Sequence, residues 1–293
     1  MITIIGEGVW GTALSTLFKQ NKKEFIFWDK QSKIDGSSIV LMTLPTQAIR
    51  VVLEANKENL KEAAIINASK GIELETLKLP FQITREVLGE KVKYFSLIGP
   101  SFASGLQKKT PTMVNLGCFL QDQILNEEIK AFFQTDYFRV RISASVEALE
   151  LSGALKNVYA IACGIAEGLN FSANTRANLI SLAYMEISKL CQKLNYKIDE
   201  DALESVLGDL ILTCSSSESR NFRFGKLVTE VSISEALQQI NSTVEGCDSA
   251  LAIPEFSQRN NIELPLAAYV YETIKLDKTS EVLSRFAAFV KTL

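Results

Sequence analysis

Lys156 stands in a part of the sequence that suits acid–base chemistry. Residues at helical spacing form a stripe of mostly small side chains around it, namely Leu149, Gly153, Lys156, Ala160 and Gly164. Lys156 is also the only basic residue between Arg141 and Arg176. A lysine in this setting loses part of its hydration, which lowers its pKa and makes it a general base near neutral pH. A lysine that only extends its ammonium group from a helix face into water fits the pattern equally well.

The chain contains no histidine, so it lacks the commonest general base and the commonest transition-metal ligand. Proton transfer must then use Lys, Asp, Glu, Tyr or Cys. The five cysteines are odd in number, are widely spaced and form no C-x-x-C pair; they are Cys118, Cys163, Cys191, Cys214 and Cys247. This pattern argues against a disulfide framework and a zinc site. We therefore expect no metal and a reducing, cytoplasmic setting.

A glycine turn follows the apolar run over residues 2–5 and precedes a helical run over residues 12–19. In a turn of this spacing, Gly6 allows the tight bend, Gly8 lets the backbone approach a pyrophosphate, and Gly11 lets the helix pack on the strand. The helix N-terminus then faces the phosphates. The turn predicts a dinucleotide site, although ordinary strand-to-helix connections also use glycines.

Asp29 ends the second predicted strand and bears on the choice of coenzyme. Its carboxylate would accept hydrogen bonds from a ribose and repel a 2′-phosphate, whereas Lys30 and Lys33 would attract one. NAD and NADP therefore both stay open. Only nine residues, 30–38, lead to the next strand, and at roughly 3.3 Å each they reach about 30 Å. That is enough for an extended link but not for a crossover helix.

Two further motifs follow predicted strands, where open α/β sheets place their ligands. Lys70 stands in the segment 67–73, and taken alone it fits a solvated loop lysine better than a ligand-binding residue. The segment Gly99–Ala103 offers small residues, the Ser101 hydroxyl and backbone N–H groups; its alternative is a helix begun by Pro100 and capped by Ser101. Both motifs would lie on the same sheet edge as the glycine turn.

A fourth motif combines a carboxylate, Asp209, with the hydroxyl-rich segment 215–225, which carries Arg220 and Arg223. Serine hydroxyls, free N–H groups at a helix start and a bidentate arginine are what a phosphate ester requires. The alternative is a serine-capped, solvated helix start with Asp209 as a further cap.

The elements that must position these motifs change character near residue 143. Apolar runs predict buried strands at Ile2–Gly6, Phe25–Trp28, Ile39–Leu44, Ala64–Asn67, Phe95–Ile98, Thr112–Leu116 and Tyr137–Ile142. Helical patterns follow at Val146–Gly168, Ala173–Leu194, Phe222–Val228, Ile233–Gln239, Gly246–Gln258, Leu266–Ile274 and Glu281–Lys291. The pattern predicts a mostly parallel sheet with helices on its faces, then a helical domain.

Composition limits the class of protein. The chain has 293 residues, of which 47% are apolar and 22% charged, so two globular domains are expected. A net charge of −3 without a basic block makes nucleic acid an unsuitable partner. The apolar run at residues 1–6 is too short for a signal peptide, and the weakly charged stretch 151–166 is too short for a membrane span.

Taken together, these motifs resemble the bacterial-type NAD(P)-dependent glycerol-3-phosphate dehydrogenase family. Eight blocks carry the resemblance in the family's order: Gly6–Gly11, Leu44–Arg50, Ser69–Glu73, Gly99–Ala103, Glu150–Val158, Leu207–Leu210, Ser219–Gly225 and Val244–Gly246. The chain departs from the family at Val9, where a small or polar residue is usual. It also lacks a strand and helix after Asp29, and it has Asp29-Lys30 where a small residue and an arginine are usual, which leaves coenzyme preference open.

The resemblance implies a shortened Rossmann-like α/β domain over residues 1–142 and an all-α domain of the 6-phosphogluconate-dehydrogenase-like type over residues 143–293. It implies that Lys156 is the catalytic proton acceptor. The implied substrate ligands are Lys70, Gly99, Ser101, Asp209, Ser219, Arg220 and Asn221. The implied cofactor ligands are Gly6, Gly8, Val9, Trp10, Gly11, Lys70, Ala103, Arg220 and Glu245.

The implied reaction interconverts sn-glycerol 3-phosphate and dihydroxyacetone phosphate with NAD or NADP, and supplies glycerol 3-phosphate for phospholipid synthesis. Apolar helices in the second domain favour a homodimer. Two other classes stay open: a 3-hydroxyacid or ketopantoate-type reductase, which shares the two-domain plan and a helix-borne lysine, and a non-catalytic NAD(P)-binding module.

Overall fold

The N-terminal half of the chain forms a mixed β-sheet, and the glycine turn and the segments of Lys70 and Gly99 follow its strands. A computed structural model describes residues 1–29, 34, 38–119, 122–276 and 280–291. Within these residues the strands are β1 (Ile2–Ile5), β2 (Phe25–Phe27), β3 (Ile39–Met42), β4 (Ala64–Asn67), β5 (Lys93–Ile98), β6 (Thr112–Cys118) and β7 (Phe138–Ser143). Their order in the sheet is β2-β1-β3-β4-β5-β6-β7. Neighbouring strands run parallel except β5 and β6, which are antiparallel.

Six helices of the described N-terminal residues accompany the sheet. They are α1 (Val9–Gln20), α2 (Thr46–Ala55), α3 (Lys57–Leu60), α4 (Pro80–Leu88), α5 (Ala103–Gln107) and α6 (Gln123–Phe133). Strands β1, β3 and β4 are buried along their whole length, as expected for apolar runs covered by helices on both faces. The core beneath α1 and α6 includes Phe18 and Phe133, whose ring centroids lie 5.2 Å apart. The predicted α/β architecture is therefore confirmed.

The link after β2 falls mostly outside the described residues. Between Asp29 and Ser38 the structure describes only Ile34, which is buried; its N–H donates to Asn56 Oδ1 at 3.1 Å. The predicted extended link, and the roles suggested for Lys30 and Lys33, lie otherwise outside the described part of the chain.

The second half of the chain is helical. Its described helices are α7 (Val146–Gly168), α8 (Ala173–Lys193), α9 (Glu200–Ser215), α10 (Arg220–Leu227), α11 (Ile233–Ile240), α12 (Glu245–Asn260), α13 (Pro265–Ile274) and α14 (Ser280–Val290). Helix α9 is absent from the sequence prediction. Asp209 lies inside this helix, so the suggestion that Asp209 caps a helix is wrong.

Helix α7 is the buried centre of the helical half. It is apolar on nearly all sides, and almost every residue from Val146 to Ala166 is shielded from water. Helix α10 packs closely on it, because a Cβ at Gly164 would lie 2.0 Å from Phe222 O. Small residues in the stripe around Lys156 therefore serve close helix packing.

The described chain divides into two compact units. The first comprises residues 1–70, 78–150 and 197–206, and the second comprises residues 71–77, 151–196 and 207–293. The division into domains at residues 1–142 and 143–293 stays a prediction. No helix of the described residues is long and apolar enough to cross a membrane.

Candidate active site

The glycines of the turn between β1 and α1 have two different steric roles. Gly6 has a φ of +115°, and a Cβ at Gly11 would lie 2.1 Å from Gly6 O, so both glycines are needed to fold the turn. Gly8 is the residue before α1 and has ordinary extended angles. A Cβ at Gly8 would meet no atom within 4 Å. The space over Gly8 is therefore open at the N-terminus of α1, where phosphates bind well.

The other residues that the sequence relates to the cofactor differ in exposure. Val9 is 75% exposed, although it begins a helix that packs on the core. Trp10 is half-buried and its Nε1 lies in a buried position without a hydrogen-bond partner among the described residues. Asp29 is exposed at the end of β2. Ala103 is the half-buried first residue of α5.

Lys70 lies three residues beyond Asn67, the buried asparagine at the end of β4. Its Nζ is 3.5 Å from Gly99 O, so the structure brings these two predicted site residues together within the first unit. Ser101 is half-buried nearby in sequence, and its N–H donates to Gly99 O at 2.9 Å. Helix α5 begins only at Ala103 and has no side-chain cap, so the alternative of a helix begun by Pro100 and capped by Ser101 is wrong.

Lys156 forms a buried ion pair in the second unit. Its Nζ donates to Asp209 Oδ1 at 2.5 Å and to Thr213 Oγ1 at 2.8 Å. The two side chains of the ion pair are only 8% and 4% exposed. The alternative in which Lys156 extends its ammonium group into water is therefore wrong. A buried carboxylate at this distance favours the charged ammonium form of the lysine.

Helix α9 aligns the two partners of Lys156. Asp209 and Thr213 are four residues apart and so share one face of the helix. Thr213 Oγ1 donates to Asp209 O at 2.6 Å, which leaves its lone pairs to accept from Lys156. Thr213 was not identified from the sequence. Its signal was the four-residue spacing from Asp209, which becomes visible only once residues 200–215 are known to be helical.

Neighbouring ionisable groups stay neutral. Burial raises the pKa of the Cys214 thiol well above its usual value, and burial raises the pKa of Tyr159 in the same direction. Cys214 follows Thr213 in α9, and Tyr159 lies one turn beyond Lys156 in α7. Both groups therefore keep their protons near pH 7 and do not act as bases. Lys156 is thus the best-placed group for proton transfer at this site.

A chain of amide hydrogen bonds joins three helices next to Lys156. Asn221 Nδ2 donates to Asn157 Oδ1 at 3.0 Å, and the N–H of Gly246 donates to Asn221 Oδ1 at 2.9 Å. The residues belong to α10, α7 and α12, respectively. Because Asn157 Oδ1 accepts from Asn221 Nδ2, the orientation of the Asn157 amide is fixed. Asn157 was also missed from the sequence, although it directly follows Lys156.

The predicted phosphate ligands lie at the start of α10. Ser219 is the buried N-cap of this helix, and its Oγ accepts from the N–H of Phe222 at 3.2 Å. The serine-capped helix start is therefore confirmed for Ser219. Arg220 is exposed, and Glu245 is the half-buried first residue of α12. Within the described residues, no group of three or more His, Cys, Asp or Glu side chains is arranged to hold a metal ion.

Comparisons with known proteins agree on one family. The family model described as NAD-dependent glycerol-3-phosphate dehydrogenase C-terminus matches residues 145–284, and the corresponding N-terminus model matches residues 29–124. A glycerol-3-phosphate dehydrogenase (NAD(P)+) of Carboxydothermus hydrogenoformans is 31% identical, over 93% of this chain and 91% of its own. That of Fusobacterium nucleatum is 32% identical, over 92% and 90%.

Solved structures point the same way. The crystal structure of a glycerol-3-phosphate dehydrogenase from Coxiella burnetii superposes with a TM-score of 0.90 at 26% sequence identity. The superposition covers 99% of this chain and 98% of the other. The similarity therefore extends over the sheet, the glycine turn and the helices that carry Lys156 and Asp209.

Proposed function

This chain belongs to the NAD-dependent glycerol-3-phosphate dehydrogenase family, and we propose that Lys156 is its proton donor and acceptor. The reaction interconverts sn-glycerol 3-phosphate and dihydroxyacetone phosphate. The chain is an oxidoreductase that acts on a CH–OH group and uses NAD or NADP. The observation that carries the assignment of Lys156 is its buried Nζ beside Asp209 Oδ1 and Thr213 Oγ1.

Lys156 performs the proton transfer at the C2 oxygen. In oxidation its Nζ takes the proton of the C2 hydroxyl, and in reduction it returns that proton to the oxygen. Asp209 favours the ammonium form, which stabilises the negative charge that develops on the C2 oxygen during reduction. Thr213 directs the Nζ by accepting one of its three N–H groups. The arrangement therefore suits reduction of the ketone particularly well.

The start of α10 anchors the phosphate of the substrate. Arg220 supplies a guanidinium that can bind two phosphate oxygens, and Ser219 and Asn221 flank the N–H groups of the first turn. Lys70, Gly99 and Ser101 are further proposed substrate ligands, and Asp209 orients Lys156 or a substrate hydroxyl. Anchoring the phosphate fixes C2 near Lys156, which raises the rate by positioning.

The glycine turn fits a dinucleotide, because the backbone at Gly8 is open where a Cβ would meet no atom within 4 Å. The proposed ligands are Gly6, Gly8, Val9, Trp10, Gly11, Lys70, Ala103, Arg220 and Glu245. When bound, NAD or NADP would supply the hydride chemistry at substrate C2. The residues of the glycine turn would hold its pyrophosphate at the N-terminus of α1, and proton transfer at the C2 oxygen would be left to Lys156.

We further propose that the enzyme is cytoplasmic and supplies glycerol 3-phosphate for phospholipid synthesis. The family assignment supports the metabolic role, and the odd number of free cysteines supports a reducing compartment. We also propose a homodimer. Its support is the apolar surface of the helical half, where Met185 and Ile211 are about half exposed.

The direct test is to follow oxidation of NADH and of NADPH separately with dihydroxyacetone phosphate. We expect turnover with at least one coenzyme and much less with ketopantoate or with 3-oxo acids. Reduction of carboxylate substrates without reduction of dihydroxyacetone phosphate would assign the chain to a different reductase class. Tight binding of NADH or NADPH without turnover of any phosphorylated ketone would identify a non-catalytic module.

A further inference from the structure

Glu150 is a buried carboxylate that has no part in the proposed reaction. It lies in the first turns of α7, is 1% exposed and belongs to the first unit. Three donors converge on it. Asn67 Nδ2 donates to Oε1 at 3.0 Å, the N–H of Phe81 donates to Oε2 at 2.9 Å, and Tyr94 OH also donates to Oε1. These three donors suit a carboxyl group, whose two oxygens can accept all three hydrogen bonds.

The Asn67 amide has only one orientation that satisfies its partners. Its Oδ1 accepts from the N–H of Ser69 at 3.0 Å, so the Nδ2 must point the other way. One hydrogen of Nδ2 then goes to Ser69 O at 3.1 Å and the other goes to Glu150. Asn67 thereby holds both backbone polar groups of Ser69, and Glu150 holds Asn67.

Lys70 follows Ser69 directly, so the hydrogen bond from Asn67 Nδ2 to Ser69 O holds the peptide group that joins the two residues. Its side chain then reaches the carbonyl of Gly99, where Nζ and O lie 3.5 Å apart. A lysine on a loop has many accessible directions, and fixing the preceding peptide removes part of that freedom before any ligand binds.

We propose that Glu150 is a positioning residue that fixes the direction of Lys70 through Asn67 and Ser69. The proposal rests on the proposed function, because it uses the assignment of Lys70 to the substrate and cofactor site. Glu150 precedes Lys156 by six residues in α7. Helix α7 thus carries both the proton-transfer lysine and the carboxylate that orients Lys70.

The chain offers a matched control in Glu186. This buried carboxylate accepts from Tyr159 OH at 3.0 Å and from the N–H groups of Leu266 and Ala267 at 2.6 and 3.3 Å. It therefore has nearly the same donors as Glu150, a tyrosine and a helix start, but it is not linked to a proposed ligand residue. Glu186→Ala should lower stability without changing the parameters that depend on Lys70.

The test is a double-mutant cycle between Glu150→Ala and Lys70→Ala, measured by steady-state kinetics with dihydroxyacetone phosphate and by fluorescence titration with NADH. Glu150→Ala should raise the KM for dihydroxyacetone phosphate or the Kd for NADH by about tenfold, because a displaced side chain binds poorly. The same substitution in the Lys70→Ala background should change that parameter less than about twofold, because coupled residues are not additive.

Asn67→Ala serves as the second variant if Glu150→Ala does not fold. It breaks the link to Ser69 and leaves the bonds of Glu150 to Phe81 and Tyr94, and it should give the same loss as Glu150→Ala. Equal losses with and without Lys70, or a Glu150→Ala variant that behaves like Glu186→Ala, would overturn the proposal. A wild-type protein that does not reduce dihydroxyacetone phosphate would instead reject the proposed function, and the NADH titration would still measure the coupling between Glu150 and Lys70.

Discussion

Lys156 Nζ lies 2.5 Å from Asp209 Oδ1 in the interior of the helical half, and the two residues are 53 positions apart in the chain. Removing the lysine has two effects that can be separated. It removes the proposed proton carrier, and it leaves a buried carboxylate without its counter-ion, which destabilises proteins by about 3–5 kcal/mol.

Lys156→Met combined with Asp209→Asn should restore the stability lost in Lys156→Met alone, but not its activity. The neutral pair no longer buries an uncompensated charge, whereas proton transfer to the C2 oxygen stays absent. We expect kcat to fall by about 10²–10⁴-fold in both variants, the usual range for a lost general acid or base. Urea unfolding and NADH oxidation measure the two effects. Lys193→Met, an exposed lysine of α8, is the control; a Lys156→Met variant with near-normal kcat would reject the assignment.

Thr213→Val should lower kcat while the KM for dihydroxyacetone phosphate changes little. The substitution keeps the shape of the side chain but removes the oxygen that accepts from Lys156 Nζ at 2.8 Å. An ammonium group that swings by about 1 Å can reduce the rate by about 10²-fold. Thr213→Ser, which keeps the hydroxyl, should recover most of the rate. If valine and serine variants have equal rates, the threonine hydroxyl does not direct Lys156.

Regular elements were predictable from the sequence where one pattern dominates. The apolar runs of β1, β3 and β4 and the helical period of α7 agree with the structure to within two residues. Helix α9 was not predicted, because Gly208 lies in its interior, where glycine is unfavourable by roughly 1 kcal/mol and resembles a break. Tertiary packing overrides that preference.

Side-chain partners across the chain were not predictable in the same way. The sequence and its family resemblance pointed to Lys156 and Asp209, but not to Thr213, since its role depends on sharing a face of α9. The hydrogen bond from Asn67 to Glu150, 83 residues apart, depends on how β4 and α7 meet. No local pattern contains that information.

Gly8→Ala should weaken NADH binding, whereas Gly11→Ala should lower the stability of the fold. A Cβ at Gly8 meets no atom within 4 Å, so the variant should fold normally and bind NADH about tenfold or more weakly, because the methyl group occupies the space proposed for the pyrophosphate. A Cβ at Gly11 would lie 2.1 Å from Gly6 O, which should destabilise the fold by about 1–3 kcal/mol. Thermal unfolding and NADH fluorescence distinguish the two. Normal NADH affinity in Gly8→Ala would place the pyrophosphate elsewhere.

Asp29→Ser should raise the preference for NADPH over NADH. Asp29 is exposed at the end of β2, and a carboxylate near a 2′-phosphate is unfavourable by about 1 kcal/mol or more, which corresponds to about fivefold in kcat/KM. Glu24→Ser removes an acidic residue just before the other end of the same strand and should leave the ratio unchanged. If both substitutions shift the ratio alike, the effect reports net charge rather than contact with the ribose.

Glu150 should make the stability of the protein depend on pH between about 4.5 and 7. Burial raises the pKa of Glu150 to about 7 in the fold, against the bonds from Tyr94, Phe81 and Asn67, which lower it, and with a small further rise from Glu147. The unfolded chain releases this proton near pH 4.5, so over this range the folded state binds more protons and loses stability as the pH rises.

The difference between the two pKa values corresponds to about 3 kcal/mol at pH 7 and above. The free energy of unfolding of the wild type should therefore fall by about that amount relative to Glu150→Gln as the pH rises from 4.5 to 7. Urea unfolding at several pH values measures both curves. Glu186→Gln, whose parent carboxylate lies in another network, should keep the fall that Glu150 produces. Parallel curves for wild type and Glu150→Gln would mean that Glu150 has the same pKa in the folded and unfolded chain, and would contradict the raised pKa.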